Sequence, residues 1–233
     1  MNQHNFTLIC GDTDSLTICK PDGSPFVKEE YEFLTKDLNS HFPQGINWDF
    51  EFYIPRMAVI RAKNYIMFDG EKIKLKGSGL KATTKEPALK EFMKATIESI
   101  VYDRNDFQEL YHKYVREIMA ITDIKRWASR KTISEKILTS TRKNETKVMD
   151  AMEGEEYSPG DRRYFFFLPA PEGSKENALE IIENFKGIYS HDRLLKKLHD
   201  TSKIFSTILP VKDLFINYSL KKNKALLEEL IKV

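Results

Sequence analysis

Two acidic side chains, Asp12 and Asp14, stand one residue apart in the segment "ICGDTDSLTIC" (residues 9–19). Apolar and β-branched residues flank this pair on both sides, which predicts a β-hairpin with the carboxylates at its tip. Residues two apart on a strand share a face, so both carboxylates could meet at one point. Such a pair repels unless a cation compensates, and oxygen ligands suit Mg²⁺. Ordinary turn chemistry is the alternative, because Asp, Gly, Ser and Thr are common in hairpin loops.

Further acidic and basic residues follow along the predicted sheet. The run "WDFEF" (residues 48–52) predicts a strand that carries Glu51, and "RAKNY" (residues 61–65) predicts another with Lys63 and Tyr65. A lysine-rich hairpin, "KIKLKGSGLKATTKEP" (residues 72–87), comes next. In metal-assisted chemistry on a polyanion, the metal neutralises the reacting phosphate while lysines hold the backbone by charge. Exposed strand glutamates and solvated lysines are the alternative interpretation.

The hydrophobic pattern changes near Lys85. Before it, short β-rich runs surround one helical segment, residues 24–42, and Asp69-Gly70 indicates a hairpin. After it, residues 87–103 and 106–121 have apolar side chains at helical spacing, and "RYFFFLP" (residues 163–169) predicts a strand. We therefore expect an α+β fold: an antiparallel sheet with a flanking helix over residues 1–85, then a mainly helical domain over residues 86–233. Tyr111 and residues 165–167 are expected in the core.

Composition narrows the class of protein. The chain has 233 residues, 41% of them hydrophobic, which excludes a disordered or fibrous class. A formal charge of +2 argues neither for nor against a nucleic-acid partner. The sequence has two cysteines, no signal-like N-terminus and no apolar stretch long enough to span a membrane. We expect a cytoplasmic protein without a membrane partner.

The ordered motifs resemble the palm and thumb of family B DNA polymerases. The resemblance covers about the first 90 residues well and the helical remainder loosely. The segments that carry it are "GDTDS" (residues 11–15), "WDFEF" (48–52), "AKNY" (62–65), "LKGSGLKATTKEP" (75–87) and "SPGDRRYFFFL" (158–168). By this resemblance, residues 1–85 form the C-terminal part of a palm and residues 86–233 a thumb. The implied activity is template-directed DNA synthesis, with primer–template DNA and deoxynucleoside triphosphates as substrates.

The resemblance also implies roles for the acidic residues. Asp14 would be a direct ligand of catalytic Mg²⁺, and Asp12 a ligand or a close electrostatic partner. Glu51 would lie near the metals as an auxiliary carboxylate.

Roles for the DNA-binding residues follow in the same way. Lys63 would contact the duplex in its minor groove or at its backbone, and Tyr65 would support it. Ala62 and Asn64 occupy positions where family members often carry basic residues, so the contact with the duplex should be weaker or supplemented. Lys76 and Lys81 are candidates for phosphate contacts.

Several parts of such a polymerase are missing from the sequence. No segment matches the family's first motif, which supplies another metal-binding aspartate, or its second motif on the fingers helix, and no exonuclease is present. Two-metal phosphoryl transfer needs ligands around both metals, so Asp12 and Asp14 do not suffice. We expect a split subunit, of phage or viral origin and acting in an infected bacterial host. Its partner chain would carry the exonuclease, the remaining palm and the fingers, and a sliding clamp is a further candidate partner.

Two other functions stay open at this point. The chain could be a non-catalytic DNA-binding or processivity protein derived from a polymerase palm and thumb. It could also be an unrelated metal-dependent nuclease or nucleotidyltransferase, which predicts metal-dependent activity of the isolated chain.

Overall fold

The chain has two compact units, Met1–Lys81 (unit 1) and Ala82–Val233 (unit 2). The computed structural model describes residues 6–81, 86–172, 174 and 176–232. Helices and small antiparallel sheets occur together, so the α+β class is confirmed. Within the described ranges, no helix combines the length and the apolar character that crossing a membrane would require.

Unit 1 begins with the hairpin expected from the first acidic motif. Strands β1 (Thr7–Asp12) and β2 (Ser15–Cys19) pair in antiparallel fashion, with a register irregularity between Leu8 and Cys10. Helix α1 (Lys28–Ser40) follows and is shorter than the predicted residues 24–42. Its start is displaced because Ser24 hydrogen-bonds to the Asp22 carboxylate in a preceding turn, rather than capping the helix.

A second sheet of unit 1 has the order β3–β4–β5. Its strands are β3 (Arg56–Arg61), β4 (Asn64–Phe68) and β5 (Ile73–Lys76), followed by the short helix α2 (Ser78–Lys81). Two sequence-based expectations are therefore wrong. Residues 61–65 do not lie on one strand, because a two-residue turn divides them, and a short helix replaces the second arm of the lysine-rich hairpin.

The predicted acidic strand at residues 48–52 is also wrong. This stretch pairs with no strand of the described chain. The backbone of Trp48, the first residue of the stretch, instead bonds to a side chain. The Asn39 amide donates to the Trp48 carbonyl at 2.9 Å and accepts from the Trp48 N–H at 2.6 Å. The ring of Phe50 stacks on that of Tyr31, with centroids 4.0 Å apart. Within the described residues, these two contacts tie the stretch to α1 without making it a strand.

Unit 1 buries little and exposes much apolar surface. Among the described residues, it contributes only five of the 35 buried hydrophobic side chains but ten of the 15 large hydrophobic side chains that are exposed. Three of those ten, Phe50, Phe52 and Tyr53, are 44–51% exposed and lie within residues 50–53, which form no strand. Exposed apolar side chains concentrated in this way are typical of surfaces that another polypeptide covers.

Unit 2 is mainly helical, as the apolar spacing predicts. Its helices and strands are α3 (Pro87–Val101), α4 (Phe107–Met119), α5 (Ile124–Trp127), β6 (Ser129–Thr132), α6 (Glu135–Leu138), α7 (Lys143–Asp150), β7 (Arg162–Phe167), β8 (Leu179–Ile181), α8 (His191–Ser202), α9 (Val211–Leu214) and α10 (Lys224–Lys232). Helices α3, α4 and α8 bury their apolar faces in one core. Phe92 and Tyr111 are fully buried there, with ring centroids 6.0 Å apart. The expectation that Tyr111 lies in the core is confirmed.

The three-stranded sheet β6–β7–β8 has a core cluster of its own. Phe165 on β7 packs there with Ile133, Val148 and Ile181. Phe166 instead joins the main helical core, because successive strand residues point to opposite faces. Phe167 is only partly buried, and the cationic groups of Arg193 and Lys197 lie 5.0 and 4.8 Å from its ring centroid.

A buried ion pair joins the start of α3 to α8. Glu86, 4% exposed, accepts hydrogen bonds from the Lys197 ammonium and, at 2.5 Å, from the Ser129 hydroxyl. Burial alone would raise the pKa of Glu86, but the charge of Lys197 and these hydrogen bonds outweigh it and lower that pKa. The carboxylate is therefore ionised in the folded protein, and it depends on Lys197 for compensation.

Replacing Lys197 with methionine should destabilise unit 2 strongly, because it leaves the Glu86 carboxylate buried without its cation. We expect the free energy of unfolding to fall by about 3–5 kcal/mol, measured by urea denaturation. Lys203→Met is the matched control, since Lys203 pairs with Asp200 at 2.7 Å on the surface. That change should cost less than about 1 kcal/mol. Equal losses in the two variants would contradict the assignment.

Stability should also depend on pH through three histidines. Burial lowers the pKa of His112, His191 and His199 below 6.5, and nearby Lys203 lowers that of His199 further. Just below pH 6.5, the folded state therefore binds fewer protons than the unfolded state, so stability falls as the pH falls through this range. We expect a smaller free energy of unfolding at about pH 5.5 than at about pH 7.5, with a smaller difference for His199→Gln. No pH dependence between these values would refute the assignment.

Candidate metal and DNA site

The two carboxylates of the first motif occupy different parts of the β1–β2 hairpin. Asp12 is the last residue of β1 and pairs with Ser15, so Thr13 and Asp14 form the turn. The expectation that both lie on one strand face is wrong, because Asp14 belongs to the turn and not to a strand. The Asp12 side chain accepts the Thr13 N–H at 2.9 Å. The Asp14 side chain is exposed and, within the described residues, makes no hydrogen bond or ion pair.

Asp12 has a cationic partner from the second sheet of unit 1. The Lys63 ammonium lies 3.4 Å from the Asp12 Oδ1 atom. The pKa of Asp12 is lowered by the Thr13 N–H bond, then by Lys63, and to a smaller extent by the charge of Lys76. Two of the sequence motifs, GDTDS and AKNY, therefore meet in the folded chain through an ion pair.

Lys63 lies in the turn between β3 and β4, not on a strand as expected. Arg61 pairs with Asn64, which leaves Ala62 and Lys63 as the loop, and Lys63 has a φ of +60°. A two-residue hairpin loop favours positive φ because this backbone matches the strand twist. The Lys63 N–H donates to the Tyr65 hydroxyl at 3.2 Å, and the Asn64 amide donates to the Ala62 carbonyl at 3.0 Å. Tyr65 and Asn64 are buried, so they support the turn from within the unit.

Gly77 packs against the same turn more closely than any other residue type could. Its φ is +105°, and a Cβ atom there would lie 2.2 Å from the Lys63 carbonyl oxygen and 2.5 Å from the Asn64 Oδ1 atom. Both the backbone angle and the contact require glycine. The sequence pattern does not predict this contact of Gly77; a glycine directly after a strand is the available signal.

The remaining predicted site residues lie in different parts of unit 1. The Lys76 ammonium lies 6.0 Å from the Tyr65 ring centroid. The charge of Lys76 also lowers the pKa of Asp12, to a small extent. Lys81 is the last residue of α2, but its side chain falls outside the described part of the chain. Glu51 is exposed on the stretch that is not a strand. The structure thus brings together Asp12, Lys63, Asn64, Tyr65 and Lys76.

The donor set fits a metal site only in part. Asp14 offers a free carboxylate, and Asp12 offers a second one that Lys63 already neutralises. Within the described ranges, no three acidic, histidine or cysteine side chains converge where they could hold a metal ion. Mg²⁺ prefers octahedral oxygen coordination and is usually held by one or two carboxylates with water and substrate phosphates. Asp12 and Asp14 are therefore too few to complete a magnesium shell by themselves.

Gly77→Ala should displace the Lys63 turn, because the new methyl group overlaps the Lys63 carbonyl oxygen. Gly70→Ala is the matched control: Gly70 has a similar φ of +102°, but nothing lies within 4 Å of the position that its new methyl group would take. The control should cost about 1–2 kcal/mol for the left-handed backbone alone, and Gly77→Ala should cost clearly more in chemical denaturation. Equal costs would show that the close approach does not matter.

The chain is similar in fold to part of a known polymerase. No family model and no curated protein matches the sequence. Among solved structures, it matches the family B DNA polymerase from the hyperthermophilic archaeon Pyrobaculum calidifontis, with a TM-score of 0.65 and 15% sequence identity. The match covers 88% of this chain and 27% of the polymerase chain. The chain therefore has a fold like that of one part of a family B DNA polymerase.

Proposed function

We propose that this chain is the C-terminal palm and thumb part of a family B DNA polymerase. Unit 1 is the palm part and unit 2 the thumb. One observation carries the proposal: in a chain with a polymerase-like fold, the Asp12–Lys63 ion pair joins the acidic hairpin to the lysine turn. Both motifs would serve DNA synthesis, because the acidic hairpin would hold metal and the lysine turn would hold the DNA backbone.

In the proposed reaction, a primer 3′-hydroxyl attacks a deoxynucleoside triphosphate and pyrophosphate leaves. Bound Mg²⁺ would neutralise the reacting phosphates and lower the pKa of the attacking hydroxyl. Asp14, exposed and uncompensated, would be the direct ligand from this chain, and Asp12 would be a second ligand or an electrostatic partner. We also propose Glu51 as an auxiliary carboxylate. A covering strand would be needed to fix its position.

The DNA-binding part of the proposal uses the lysines beside the acidic hairpin. Lys63, whose side chain is 74% exposed, would contact the primer–template duplex, while Tyr65 and Asn64 hold its turn. Lys76 and Lys81 would contact phosphates. Charge contacts of this kind position the duplex without reading its sequence.

The rest of the active site would come from polypeptide outside this sequence. It would supply the remaining palm with its aspartate, the fingers and the exonuclease, and a sliding clamp is a further proposed partner. The apolar side chains that unit 1 exposes, among them Phe50, Phe52 and Tyr53, support a covering polypeptide.

A second candidate is a DNA-binding part that takes no direct part in catalysis. The observation that favours it is the same ion pair, because an Asp12 carboxylate that Lys63 neutralises is less available to a metal. This candidate predicts that the duplex is held but that the hairpin acids do not affect the rate of synthesis.

Replacing Asp14 with asparagine separates the two candidates. The assay is primer extension by the complex of this chain with the polypeptide that supplies the remaining palm and fingers, encoded upstream or co-purified. Loss of residues that merely support a metal ligand costs about 10–100-fold, so loss of a direct ligand should lower the extension rate by at least about 100-fold. Duplex binding should change little, as measured by fluorescence anisotropy.

Asp22→Asn is the matched control, because Asp22 is also an exposed turn aspartate of unit 1 and its carboxylate accepts hydrogen bonds from Ser24. It should leave extension unchanged. Full extension by Asp14→Asn would sink the catalytic assignment and leave the DNA-binding candidate.

A further inference from the structure

Lys63 stands between two anions, one in the protein and one in the proposed ligand. In the free chain its ammonium lies 3.4 Å from Asp12, whose side chain is 22% exposed. The same lysine is the proposed contact to the DNA backbone. One ammonium group cannot fully compensate both charges at once, so the two partners compete for it.

The backbone of Lys63 is held in place while its side chain stays free. The Tyr65 hydroxyl accepts the Lys63 N–H, and Gly77 packs directly against the Lys63 carbonyl oxygen. The side chain itself is 74% exposed, so its four-carbon stem can turn away from Asp12 without moving the turn. The ion pair is therefore easily broken, as exposed pairs are.

We infer that Lys63 couples DNA binding to metal binding. In the free chain Lys63 occupies Asp12 and repels a divalent cation there. When a duplex binds, Lys63 pairs with a phosphate and Asp12 becomes available to the cation. The inference rests on the proposed function, and it adds that Asp12 is available to a cation only when DNA is present.

Linkage makes this coupling reciprocal and measurable. If a duplex raises the affinity for a cation by some factor, the cation raises the affinity for the duplex by the same factor. Coupling between two sites is typically about 5–150-fold, and one shared charge near the surface suggests about tenfold. Lys76 does not share the role, because neither an ion pair nor a hydrogen bond joins it to the Asp12 carboxylate in the described residues, whereas Lys63 lies 3.4 Å from it.

The test measures Mn²⁺ binding to the full chain by the electron paramagnetic resonance signal of free Mn²⁺. It is done with and without a saturating primer–template duplex whose primer ends in a dideoxynucleotide, and Mn²⁺ bound by duplex alone is subtracted. For the unmodified chain we expect about tenfold tighter Mn²⁺ binding with the duplex. Lys63→Gln should bind Mn²⁺ more tightly than the unmodified chain when no duplex is present, and the duplex should add less than about twofold.

Lys74→Gln is the matched control, because Lys74 lies on β5 and pairs with Asp69 at 3.0 Å. It should behave like the unmodified chain, with its duplex effect intact. The inference is overturned if the unmodified chain shows no duplex effect or no Mn²⁺ binding, or if Lys63→Gln keeps the effect. Because the duplex is not extendable and no nucleotide is present, this result is independent of the Asp14 extension assay, so the two failures can be told apart.

Discussion

The close contact between Gly77 and the Ala62–Lys63 turn is the constraint on which the candidate site depends. With no Cβ atom at Gly77, strand β5 ends directly against the carbonyl oxygen of Lys63. The Tyr65 hydroxyl and the Asn64 amide hold the same turn through its other backbone groups. Packing therefore fixes the backbone of the lysine, while its ammonium group stays exposed. In the free chain that group lies 3.4 Å from Asp12.

The two units rely on different sources of stability. Unit 2 has a helical core of its own and a buried Glu86–Lys197 ion pair, so its stability is internal. Unit 1 has few buried apolar side chains and exposes aromatic ones, and a small unit with such a core is marginal on its own. The site residues thus lie on the less self-sufficient unit. This suits a site that is completed by other polypeptide, because the same covering chain would bring both apolar contacts and missing ligands.

The sequence predicted what depends on local periodicity and missed what depends on distant contacts. Helices α3 and α4 and their buried residues, such as Phe92 and Tyr111, follow from apolar spacing alone. The β1–β2 hairpin follows from its turn residues. Alternation at residues 48–52 cannot tell whether a pairing strand exists, so that strand was wrongly predicted. Ala62 and Lys63 lack the Asn-Gly or Asp-Gly signature of a hairpin loop, which hid the turn, and the Asp12–Lys63 pair joins residues far apart in sequence.

The bond pair between Asn39 and Trp48 has a consequence for how the protein is made. One side-chain amide satisfies both backbone groups of Trp48, as a neighbouring strand would, and ties the following stretch to α1. That stretch carries Phe50 and Phe52, which are 44% and 51% exposed. Chaperones and proteases act on chains that expose apolar surface. These half-exposed aromatic side chains would therefore make the chain a target of cellular quality control wherever no other surface covers them.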